Sequence, residues 1–330
     1  SNNVAVGNSA LGANTTGASN VAVGANALDA NTTASNNTAI GQNALTTNTT
    51  GALNSALGSS ALANNTTGAN NVAMGFATSQ LNTTGSNNTA LGYAAMNANT
   101  TGDANTAVGF GALDANTTAS LNTAVGENAL GANTTGTRNT AVGATALDAA
   151  TTADNNTAVG FNALTDLTTG SENTSVGQSS MANITTGSDN TGLGHQVLFS
   201  ATTASNNTAI GHNALVLNTS AAQNTAVGSL SMDANTTGDN LTSLGYNSMG
   251  ANTTGANNTA IGSKCMEDNL TASNNTAVGF EALADTTSGG GANTAVGKRA
   301  LKSTTTASAN TAVGYHALEE ATTGGSNTAL

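Results

Sequence analysis

A period of 17 residues is the feature that most constrains what this chain can fold into. The Asn that opens the pentapeptide NTAVG recurs from Asn3 to Asn327, with Leu241 in its place once. Every step is 17 residues except the one from Asn275 to Asn293, which is 18. A fixed period of this length is typical of a repeat protein whose units stack on one another. We therefore predict a single repeat domain over 1–330 with about 19 rungs and a one-residue insertion near 288–292, any caps or further domains lying outside it.

Charged residues mark the exposed positions of the repeat, whose columns we number from zero at this Asn. All 17 acidic and 5 basic residues fall in columns five, six, nine, ten, fifteen and sixteen. Charges are almost never buried unpaired, so the other columns are candidates for burial. Column three (Val, Ile, Leu or Met) and column eight (Leu or Met, except Ser79) are predicted interior stripes. Column seven is mostly Ala and includes Cys265, which we interpret as a small buried residue.

Column eleven is usually Asn and never charged, so it is also predicted to point inward. Identical Asn side chains on successive rungs can hydrogen-bond to one another as a ladder, which gives buried amides their partners. The predicted ladder comprises Asn14, Asn31, Asn48, Asn65, Asn82, Asn99, Asn116 and Asn133.

A unit of 17 residues favours short extended pieces over helices. Helix-turn-helix repeats need about 34 residues, and the Thr, Asn and Gly of each unit are poor helix formers. We predict an all-β parallel β-solenoid (β-roll or β-helix) in which TAVG is a strand and the AL and NTT pieces form the other sides. Rungs about 4.8 Å apart would make a rod roughly 90 Å long. The absence of proline agrees, because each strand must donate its amides.

Columns two and four indicate that a second surface is covered. Column two is almost always Ala and column four is always Gly, so the strand face opposite column three is free of charge and uniformly small. We expect another chain's backbone to cover that face, in a parallel homo-oligomer that is most simply a trimer. The alternative is that these residues serve turn geometry within one chain.

The motif NTAVGxxALxxNTTGxx resembles the repeat of phage tail-fibre proteins and of related bacterial surface proteins, over essentially all 330 residues. The segments NVAVG and NTAIG are also similar to the head repeats of trimeric autotransporter adhesins. The resemblance implies a trimeric β-roll. Autotransporter heads use a shorter unit, which leaves coil shape and handedness open.

Column five carries two sets of candidate binding residues. His195 and His212 share column five on adjacent rungs and are weak candidates for a metal site. Column five also holds the aromatic residues Phe76, Tyr93, Phe110, Phe161, Tyr246, Phe280 and Tyr315. These rings could stack on cell-surface glycans, or they could shield a corner and fill a seam between subunits, which we favour. Calcium binding at the column-nine Asp residues and ice binding by Thr arrays are weaker alternatives.

The composition argues against several function classes. A net charge of −12 with five Lys and Arg argues against nucleic-acid binding, and no apolar run could span a membrane. We find no nucleophile paired with a base, no phosphate-binding loop and no carboxylate pair, so nothing in the sequence indicates an enzyme. No cofactor is expected. The sequence predicts the shaft of a virion tail fibre that presents a host-binding tip. The alternative is a bacterial surface adhesin or a self-assembling extracellular filament.

Overall fold

The computed structural model describes residues 2–330, which form parallel β-solenoid rungs of 17 residues with 18 at the insertion, as the sequence predicts. Two compact units divide the chain, Ser1–Thr169 and Gly170–Leu330. No helix occurs among the described residues. The described residues therefore contain no helix that could cross a lipid bilayer.

Each rung contributes one short strand, formed by columns one to three. The strands of the first unit are β1 Val4–Val6, β2 Val21–Val23, β3 Thr38–Ile40, β4 Ser55–Leu57, β5 Val72–Met74, β6 Thr89–Leu91, β7 Thr106–Val108, β8 Thr123–Val125, β9 Thr140–Val142 and β10 Thr157–Val159. Those of the second unit are β11 Thr174–Val176, β12 Thr191–Leu193, β13 Thr208–Ile210, β14 Thr225–Val227, β15 Thr242–Leu244, β16 Thr259–Ile261, β17 Thr276–Val278, β18 Thr294–Val296, β19 Thr311–Val313 and β20 Thr328–Ala329.

Within each unit every strand pairs in parallel with the strand of the next rung, column for column. Ala107 pairs with Ala124 in the first unit, and Ala260 pairs with Ala277 in the second. The inserted residue does not disturb this register, because Ala277 pairs with Ala295 across it. The extra residue lies in a glycine-rich turn, which absorbs it outside the strands.

The remaining sides of the rung are turns and bends. Non-glycine residues of columns six, eight and sixteen have positive φ, as at Asn43, Leu45 and Asn36. The peptide groups between them still hydrogen-bond along the stack, since Leu45 N–H donates to the Ala61 carbonyl of the next rung at 3.0 Å. The AL piece therefore forms a side of the solenoid, but through turns and left-handed residues rather than an extended strand.

The left-handed backbone also explains which apolar residues occupy column eight. Its side chains are buried, as predicted, and Leu113 has φ of 52°. A β-branched residue is strongly disfavoured at such an angle, whereas Leu and Met tolerate it better. Column eight accordingly has Leu, Met and Ser79 but no Val or Ile, and most Val and Ile residues occupy strand columns one and three.

The interior face of the strand is column two, and the prediction that column three faces inward is wrong. Ala39, Ala124 and Ala260 are fully buried, whereas the column-three side chains beside them are half-buried or exposed, with Ile40 38% accessible. A 17-residue rung encloses a narrow interior that columns seven, eight and eleven already fill. Column two therefore takes only Ala, Ser or Gly. Where Val197 replaces the usual column-seven Ala, even a methyl group would be crowded, because an added Cβ at Gly192 would lie 2.9 Å from Val197 Cγ2.

Column four is glycine because the next rung of the same chain passes close to it. Gly126 has φ of 139°, and an added Cβ would lie 2.5 Å from the carbonyl carbon of Gly143. The expectation that another chain's backbone requires these small residues is therefore wrong. Within one chain, the narrow interior accounts for column two, and turn geometry with close rung stacking accounts for column four.

Replacing Gly126 with Ala tests the close approach. We expect Gly126→Ala to lower the free energy of unfolding by about 3 kcal/mol or more, because the residue would be strained and would clash with rigid backbone. Gly131→Ala in the same rung is the matched control, since there the nearest atom is the flexible Asp148 carboxylate at 2.8 Å. That control should change stability by no more than about 1 kcal/mol. Equal costs in urea denaturation would contradict this explanation of column four.

Candidate interaction surface and side-chain ladders

The outer face of the strands, columns one and three, exposes a row of large apolar side chains in each unit. We call it the outer strand face. Column three presents Leu57, Leu91 and Val125 at 43%, 44% and 36% exposure in the first unit, and Leu193, Leu244 and Ile261 are likewise exposed in the second. Column one is Thr in most rungs and Val or Ser in the others. No charged residue occupies either column.

The column-five aromatic residues flank this face. In the first unit the rings of Phe76, Tyr93 and Phe110 stack, with centroids 5.5 and 5.4 Å apart and planes within 16°. Each of the three side chains is more than half exposed. In the second unit Lys298 Nζ lies 5.8 Å from the Phe280 ring centroid and 5.7 Å from that of Tyr315, forming cation–π contacts.

Stacking determines what the aromatic column can bind. A ring that recognises a sugar must present a free face, and Tyr93, between Phe76 and Phe110, has a neighbouring ring against each of its faces. The outer two rings each have one face against Tyr93, and the edges of all three rings extend the apolar surface beside column three. This arrangement suits the border of a packed interface better than a glycan platform.

His195 and His212 also stack, with ring centroids 5.3 Å apart and planes 7° from parallel. Parallel rings direct equivalent nitrogens side by side rather than toward one point, whereas two nitrogens on one zinc ion lie at most about 4.2 Å apart. Among the described residues, no group of three or more His, Cys, Asp or Glu side chains is placed to hold a metal ion. Nδ1 of His195 is buried without a hydrogen-bond partner.

The column-eleven asparagines predicted as a ladder lie in one continuous chain of side-chain hydrogen bonds. Asn99 Nδ2 donates to Asn82 Oδ1 at 2.8 Å and to the Gly102 carbonyl at 3.1 Å, and Asn116 donates in turn to Asn99. The same pattern runs from Asn14 to Asn133. The ladder ends where Ala150 replaces Asn, and Asn133 Oδ1 has no partner there.

A second ladder involves the column-zero asparagines, which sequence reasoning used only to mark the register. The backbone N–H of Asn37 donates to Asn20 Oδ1 at 2.9 Å, and Asn37 Nδ2 donates to the Gly51 carbonyl at 2.9 Å. These side chains are buried from Asn20 to Asn310. Their near-invariance across 19 repeats was the available signal, because a buried amide must satisfy both its donor and its acceptor.

Ionisable groups remain outside the interior except for one thiol. Burial raises the pKa of the Cys265 thiol to about 12, so the group stays protonated and unreactive at neutral pH. Partial burial also raises the pKa of the Asp114, Asp148 and Asp233 carboxyls. Acidic residues of the second unit pair with Lys264 and Arg299, at 3.1 Å for Glu267 and 2.7 Å for Glu281.

No known protein family matches this chain, and no curated protein does. No pocket opens among residues 2–330.

Truncating a ladder residue should cost most in the middle of the ladder. Asn99→Ala leaves two buried groups without partners, Asn82 Oδ1 and one N–H of Asn116. Asn133→Ala leaves only one, Asn116 Oδ1, because the Asn133 Oδ1 that it removes has no partner in the first place. Because each unpaired buried polar group costs about 1–3 kcal/mol, Asn99→Ala should be more destabilising by roughly that amount. Denaturant midpoints measure the difference. A larger loss for Asn133→Ala would contradict the ladder's energetic role.

Proposed function

We propose that this chain is the shaft of an elongated fibre, similar in role to the phage tail fibres that its motif resembles, and that it presents a host-binding tip. In this proposal the chain lies on a virion, and three copies associate in parallel. The observation that carries the proposal is the in-register stacking of near-identical rungs within each unit. Ten rungs at about 4.8 Å make each unit by itself a stack about 45 Å long.

The chemistry of the rung also supports a structural role. In each unit the backbone and asparagine hydrogen bonds join successive rungs and so run along the stacking direction. Together they resist both stretching and bending of the stack. The Cys265 thiol is buried, and the Glu281 carboxylate is paired with Arg299. A surface adhesin or extracellular filament would use the same rungs, so it is distinguished by location and not by fold.

Immunogold electron microscopy of the intact source tests this function. Antibodies raised against the purified chain should label thin fibres along their length, between the particle body and the fibre tip. Antibodies pre-absorbed with the same chain provide the control. Label spread over a cell envelope would replace the fibre with the adhesin, and label on extended filaments detached from any particle would favour the extracellular filament. Label confined to fibre tips would contradict a shaft.

A further inference from the structure

We propose that the outer strand face is the surface through which copies of this chain associate, in parallel and in register. This inference rests on the proposed function for the orientation of the copies, since a fibre with one tip needs copies that run the same way. It places the interface on the Val, Ile, Leu and Met side of the strand rather than on the Ala and Gly side.

The size of the face is the first argument. A three-residue strand spans about 10 Å, so ten strands spaced by about 4.8 Å present roughly 480 Å² in each unit. The largest apolar patch of a typical monomer is about 300–600 Å² and is often functional. A standard interface buries about 800 Å² per partner, and the face of one unit supplies more than half of that area.

The absence of charge on this face is the second argument. Copies of a chain with net charge −12 repel one another, and the charged columns lie elsewhere on the rung. Columns one and three carry no charge over the 20 strands, so two copies meet there with the least repulsion and the most apolar burial. The other uncharged exposed column, column thirteen, is Thr or Ser and gains far less from leaving water.

The repeat of the face identifies the partner. Each rung adds one column-three side chain to this face, so its side chains repeat at the rung spacing in each unit. Tight packing requires a partner whose own side chains and grooves repeat at the same spacing. A second copy of this chain meets that requirement at every rung. The edges of the stacked rings at Phe76, Tyr93 and Phe110 would border such an interface.

Lysine substitutions on alternate rungs test the interface without altering the core. We expect the combined substitutions Leu57→Lys, Leu91→Lys and Val125→Lys to raise the dissociation constant of the oligomer at least tenfold in sedimentation equilibrium. The circular dichroism spectrum of the monomer should stay unchanged. Added lysines reduce the net negative charge, so general repulsion cannot explain dissociation. Thr50→Lys, Thr84→Lys and Thr118→Lys together are the matched control, because they make the same charge change on exposed column-thirteen residues.

Cysteine crosslinking tests the orientation and the register. In a Cys265→Ala background, Leu57→Cys and Val125→Cys should each crosslink to its own copy with a short bismaleimide, and mixing the two variants should give no mixed product. Mixed products without self-products would overturn the parallel register.

A stable oligomer that neither variant crosslinks, and that the column-three lysines leave intact, would overturn the interface while leaving the fibre proposal standing. A wild-type monomer at all concentrations would overturn the interface and the trimer together, whereas the immunogold result tests the fibre itself.

Discussion

Hydrogen bonding between successive rungs is the interaction on which the rest of this structure depends. The strand amides and the column-eight amides donate to backbone carbonyls of a neighbouring rung. The column-zero Asn side chain accepts from the backbone of the next rung, and the column-eleven Asn side chains bond to one another. Such bonds form only if every rung has the same path, so the sequence keeps its period. The glycine of column four serves the same requirement, because any Cβ there would separate the rungs.

Much of the cross-section could be predicted because burial excludes charge. The period, the parallel strand at columns one to three and the buried columns seven, eight and eleven all agree with the structure. The direction of the strand's side chains could not be predicted this way. Columns two and three are both uncharged, and hydrophobicity alone favoured the larger residue as core, although the narrow interior admits only the smaller one.

The left-handed residues and the column-zero ladder lay beyond sequence reasoning for a related reason. Leu45 and Leu113 adopt positive φ although leucine has no preference for it, since the stacked rungs and buried side chains determine the local backbone. In the sequence the Asn at column zero only marks the register, and its role depends on a carbonyl 14 residues away, as for Asn37 and Gly51. Both features arise from contacts between rungs and not from any single repeat.

The central claim is that the interior of the rung is lined by the alanines of column two while the larger apolar residues of column three face outward. Adjacent residues of one strand test it most directly. At concentrations where the chain is monomeric, urea denaturation of Ala141→Val should show a loss of about 1–3 kcal/mol from overpacking. Val142→Ala should cost less than about 1 kcal/mol, because that side chain is already 36% exposed. A greater loss for Val142→Ala than for Ala141→Val would contradict the account.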